Sequence, residues 1–108
     1  MTDVRRIAYE ALLLADADKV PKGLAQSVLD KYSYLDVRDR RFLKRLIEGT
    51  IERRITIDHV LGLYSNVPVT NMKRQIRTLL RMGTCQLLYM DTVTDFAAIN
   101  ETVKLARK

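Results

Sequence analysis

The sequence predicts an all-α fold, a compact bundle of about six helices. Three observations predict it. Apolar residues recur at spacings of three and four, and no useful length of chain alternates apolar with polar residues. The four glycines and two prolines sit mostly where helices should start or stop. The length of 108 residues with 47% hydrophobic content suits one packed domain, 1–108, rather than two domains or a disordered basic tail.

Each element follows from its own spacing. The first predicted helix runs from Asp3 to Ala15, with Thr2 as cap and an apolar stripe of Val4, Ile7, Ala8, Ala11 and Leu12. Asp16 to Lys19 is a polar break, and Pro21 opens a second helix that buries Leu24, Ala25, Val28, Leu29 and Tyr32. Asp36 opens a third, with Asp39 three residues on as a capping-box-like partner. Its stripe is Phe42, Leu43, Leu46, Ile47, Thr50 and Ile51, and it extends toward Arg54. Thr56 is the expected cap of a short fourth helix through Ile57, Val60, Leu61 and Tyr64, and Ser65 to Val69 breaks it. Thr70 or Asn71 is the expected cap of a fifth, facing inward through Met72, Ile76, Leu79, Leu80, Gly83 and Leu87. Thr92 or Thr94 starts a sixth, with Phe96, Ile99, Val103 and Ala106 inward.

The fifth predicted helix carries the most informative charge. The formal charge of the chain is +6, from 19 Lys and Arg against 13 Asp and Glu. No acid lies between Asn71 and Met90, while Lys73, Arg74, Arg77 and Arg81 do. Spacings of three and four place Arg74, Arg77 and Arg81 on one face, with Lys73 beside them. Lys73 and Arg74 occupy the first turn, where a cation opposes the helix dipole at a cost of about 0.3–1 kcal/mol. A phosphate near that helix start would meet free amides and both side chains together. The alternative is a solvated cationic face. A second stripe, Arg38, Arg41 and Arg45 with Arg40 and Lys44 alongside, shares the third helix with Asp36, Asp39, Glu48 and Glu52, and reads as a mixed surface to which Arg40 and Arg41 contribute. Tyr9, Tyr32, Tyr34, Tyr64 and Tyr89 could stack on bases, although a tyrosine serves as often in a core with its hydroxyl at the rim.

Nothing in the chain reads as an active site. His59 has no partner at helical spacing except its neighbour Asp58, and Cys85 reads as a small buried thiol without a base. No glycine-rich phosphate loop and no metal-ligand spacing is present in the sequence. The lone cysteine excludes an internal disulfide framework and favours the reducing cytoplasm. The first residues do not form a secretory signal, and no apolar stretch reaches membrane-spanning length. Gly83 and Gly49, inside helices, are expected to permit close helix approach.

The segments taken together resemble the NusB family. Arg5-Arg6-Ile7-Ala8 with Leu12-Leu13 is similar to its opening helix. Asp39-Arg40-Arg41-Phe42, Leu46-Ile47-Glu48-Gly49-Thr50 and Ile57-Asp58 are similar to its central helix pair. The strongest likeness runs from Leu79 to Met90 and then from Ala97 to Ala106. Gln86, where stand-alone members usually carry Glu, together with Glu52 to Asp58 and Leu88 to Asp91, favours the N-terminal NusB-like domain of the RsmB/Sun rRNA cytosine-5 methyltransferases.

The resemblance implies a non-catalytic RNA-binding domain without a cofactor of its own, with ribosomal RNA as partner. In that branch the S-adenosylmethionine site and the catalytic cysteines lie in a C-terminal methyltransferase domain absent from this chain. The alternative branch is the transcription antitermination factor, which acts through RNA and a ribosomal protein. The family's RNA contacts are associated with its basic N-terminal region, here Arg5 and Arg6. Arg5, Arg6, Arg40, Arg41, Lys73, Arg74, Arg77 and Arg81 are therefore the expected RNA-binding residues. The family's last helix lies beyond Lys108, so a surface for homodimer formation is also expected where it would pack.

Overall fold

A computed structural model describes residues 4–15, 20 and 22–90. Among these the chain is all-helical: α1 (Val4–Leu14), α2 (Leu24–Lys31), α3 (Val37–Glu52), α4 (Arg54–Tyr64), one 3-10 turn (Val69–Asn71) and α5 (Arg74–Tyr89). The expected sixth helix, with Phe96, Ile99, Val103 and Ala106, lies outside the described residues, as do Thr2, Asp3 and Pro21.

The helix α3 is the hub. Its stripe Leu43, Leu46, Ile47 and Thr50 is buried, and it packs against α1, α2, α4 and α5. Three of those side chains, Leu43, Leu46 and Ile47, are wholly excluded from solvent. Each such burial stabilises the fold by about 1.5–3 kcal/mol. The predicted cap is in place: the Asp36 carboxylate accepts a hydrogen bond from the Asp39 amide at 2.8 Å. The helices α1 and α2 also present their predicted stripes, burying Ile7, Ala8, Ala11 and Leu12 from the first and Ala25 and Leu29 from the second.

Three boundaries differ from expectation. The helix α2 starts at Leu24, after Gly23 in the left-handed conformation (φ 71°). That backbone is open to glycine at little cost. The break between α3 and α4 is a single residue, Arg53, whose carbonyl already accepts from the Ile57 amide at 2.8 Å. Thr56 is therefore inside α4 and caps nothing. Thr70 and Asn71 have the residue type of caps but belong to the 3-10 turn, and Lys73, in extended conformation, precedes α5 without a side-chain cap.

The facing of α5 is the largest correction. Its buried residues are Thr78, Leu79, Arg81, Met82, Cys85 and Gln86. Ile76, Leu80 and Leu87, expected inside, are exposed at 46%, 38% and 45%. The helix has apolar residues on two sides, and its polar inner residues are satisfied locally or across the core. The Thr78 hydroxyl donates to the Arg74 carbonyl at 2.8 Å, and the Gln86 amide donates to the Met82 carbonyl at 3.1 Å. Tyr64, expected on the inner face of α4, is 87% exposed.

Candidate nucleic-acid interface

The eight predicted RNA-binding cations divide by what holds them. Arg81 is removed from the surface. It is 8% exposed, and its Nε and Nη2 donate to the two carboxylate oxygens of Asp58 at 2.8 Å each. This bidentate fork is the geometry in which guanidinium and carboxylate bind most strongly. It ties α5 to α4 and turns the Arg81 guanidinium inward, away from solvent. The reason is long-range: its acid comes from another helix, which no spacing within α5 reveals.

Arg77 is half-buried, and its Nη1 donates to the Val69 and Met72 carbonyls at 3.4 and 3.2 Å. It clamps the 3-10 turn onto the start of α5 and is a structural cation rather than part of an open ridge. Arg5 is half-buried too. Its Nε donates to Gln86 Oε1 at 2.8 Å, and its guanidinium lies 4.8 Å from the centre of the Phe42 ring. Gln86, 1% exposed, thus spends its oxygen on Arg5 and its amide on α5. Arg40 is half-buried and donates to the Leu29 carbonyl at 3.2 Å, joining α3 to the end of α2. These residues are brought inward by hydrogen bonds that hold the helices together.

Arg6, Arg41, Lys73 and Arg74 stay at the surface. Arg6 pairs with Glu10 at 3.4 Å on an exposed turn of α1, a contact of small energetic weight. Lys73 and Arg74 flank the start of α5, whose first turn carries no acid. Arg74 opens the helix and Lys73, expected inside the first turn, stands just before it, at an end with unpaired amides. Arg41 lies on the outer face of α3 with Arg38, Lys44 and Arg45, all exposed. No ion pair among the described residues involves any of these α3 cations, so the acids of that helix do not neutralise them by contact. This surface is more open than the mixed sequence pattern suggests.

Spacing puts Arg45 on the cationic stripe of α3 but joins it to neither Arg53 nor Tyr89. Arg45 Nη2 donates to the Tyr89 carbonyl at 3.3 Å, and the Arg53 guanidinium lies 4.2 Å from the centre of the Tyr89 ring. Arg53 and Tyr89 stand at the ends of α3 and α5, and Arg45 midway along α3, so the grouping is a tertiary contact that periodicity does not read.

Cys85 is fully buried against α3. Burial pushes its thiol above the ordinary value and outweighs the nearby Thr50 hydroxyl and the positive charges of Arg53 and Arg45. A neutral buried thiol is a poor nucleophile. His59 is exposed. No group of His, Cys, Asp or Glu suited to a metal occurs among the described residues, and none of their helices is long and apolar enough to cross a membrane.

The class is a small helical domain whose buried arginine fork serves the interior while a set of cations stays outside. The chain belongs to the NusB family, whose model matches residues 2–108. It is 32% identical over 106 residues to a probable ribosomal RNA small subunit methyltransferase B of Bacillus subtilis, covering 98% of this chain and 24% of that protein. It is 30% identical to the protein of the same name from Synechocystis, over 99% of this chain and 24% of the relative. The chain thus spans about a quarter of the length of these two relatives. It is also 35% identical to the transcription antitermination protein NusB of Kineococcus radiotolerans, over 96% of this chain and 76% of that protein. No solved structure matches.

Proposed function

We propose that this chain is a non-catalytic RNA-binding domain that helps to position ribosomal RNA for a cytosine-5 methyltransferase. The observation that supports RNA contact is the separation of charges: Arg38, Arg41, Lys44, Lys73 and Arg74 are exposed and outside every ion pair among the described residues. Cations held this way can release the counterions of a phosphate backbone on binding. The likeness of nearly the whole chain to a quarter of two rRNA methyltransferases supports the branch. In this reading the chemistry belongs to the remainder of such an enzyme and the domain supplies grip and orientation.

A second reading is a stand-alone antitermination factor acting through RNA and a ribosomal protein. It is favoured by the likeness to the Kineococcus NusB protein, most of whose length this chain matches. Self-association through the exposed Ile76, Leu80 and Leu87 of α5 fits either reading.

Titration of the chain with fragments of small-subunit rRNA across a salt series tests the RNA reading. Binding should weaken steeply with salt, and Lys73→Glu with Arg74→Glu should weaken it further at constant fold. Salt-independent binding, or none in dilute buffer, would count against the proposal. The coding sequence beyond Lys108 separates the branches: a methyltransferase domain supports the first reading and a stop codon the second.

A further inference from the structure

We infer that Arg45, Arg53 and Tyr89 form a binding subsite for one nucleotide step of single-stranded RNA, on the face where the end of α5 meets α3. The inference rests on the RNA-binding reading above and locates a contact which that reading leaves unassigned. Arg45 and Arg53 are both exposed, yet both are held. Tyr89, half-buried, offers its carbonyl to Arg45 at 3.3 Å and its ring to Arg53 at 4.2 Å. One tyrosine therefore orients two guanidinium groups along the second half of α3.

Neither arginine takes part in an ion pair among the described residues, although Glu48 and Glu52 share the helix. Arg45 uses one N–H on Tyr89, and a guanidinium has five in a planar fork. Its remaining donors suit a phosphodiester oxygen. Arg53 has one face on the tyrosine ring, and its other face and edge suit a base plane or the next phosphate. Arg41, exposed one turn before Arg45 on α3, would carry the strand onward. Holding two long side chains against an aromatic residue before the ligand arrives lowers the ordering cost of binding.

The test is a titration of the full 108-residue chain with a short single-stranded RNA of mixed sequence, reading affinity against salt. Arg45→Gln with Arg53→Gln should weaken binding about tenfold or more in dilute salt. It should also lower the salt slope by about 0.7 for each phosphate no longer neutralised. Arg53→Lys keeps the charge but removes the planar stack, and should recover the slope while leaving part of the deficit in affinity. Because the double variant could fold poorly, the wild-type chain gives a second measurement: the Arg Nε–H resonances of residues 45 and 53 should shift on RNA addition. If RNA binds the wild type but neither the variants nor those resonances respond, the subsite is overturned while the RNA reading stands. If no RNA binds the wild type, the RNA reading fails first and the subsite with it.

Discussion

Asp58 and Arg81 show what a residue's neighbours in sequence leave out. Arg81 has the spacing of a surface cation, but a carboxylate from α4 draws it to 8% exposure. Removing one partner of such a pair leaves a charge uncompensated away from water. Asp58→Ala should therefore destabilise the fold by about 3 kcal/mol, read by urea denaturation; a change within error would show that the pair adds little. Cys85 gives a second prediction. Its folded pKa lies above the ordinary thiol value because of burial, so the folded state holds its proton more tightly than the unfolded chain. The contribution is fully present below the unfolded pKa of about 8.5 and is lost as pH rises toward the folded value. Wild-type stability should fall more steeply above that pH than that of Cys85→Ala, and thiol reagents at neutral pH should label the chain only on unfolding. Parallel stability curves for the two proteins would contradict this.

Between elements, the close approach of α3 and α5 depends on Gly49. A Cβ there would meet Cys85 Sγ at 3.1 Å, tighter than ordinary contact, on a sulfur that is fully buried. Gly49→Ala should lower stability in the wild type despite the better helix propensity of alanine. In a Cys85→Ala background it should instead raise stability by up to about 1 kcal/mol. Additive effects in this double-mutant cycle would show that the two residues do not touch. The expectation that Gly49 serves helix approach was thus legible, as were the stripes of α1, α2 and α3 and the Asp36 cap, because local spacing and capping chemistry decide them. The face of α5 was not legible. Ile76, Leu80 and Leu87 compete with Leu79, Met82 and Cys85 for the interior, and the choice is made by Asp58 and Arg5, which come from α4 and α1. The start of α5 misled for a local reason, since Thr70 and Asn71 suit a cap and a tight turn equally. The distribution of cations was legible only in part. Sequence found the exposed Arg6, Arg41, Lys73 and Arg74, but counted Arg5, Arg40, Arg77 and Arg81 as surface cations because hydrogen bonds to carbonyls, an amide and a carboxylate outside their own helices leave no trace in spacing.

At the scale of the whole molecule, the net charge of +6 is spread unevenly in effect. The cations drawn inward stitch helices together, and those left outside set the external field. A substitution set confined to Arg38, Arg41 and Lys44 should therefore change RNA association rates and salt dependence while leaving the denaturation midpoint nearly unchanged. An equal fall in RNA affinity and in that midpoint would show that this face is structural. The forked contact between Asp58 and Arg81 also acts as a pawl. Sliding α5 along α4 by one helical turn, about 5.4 Å, would strand both charges at once, so the two rods travel as one piece. The helix α2, a short rod of eight residues seated mainly on α3, lies outside that pawl and is free of its constraint.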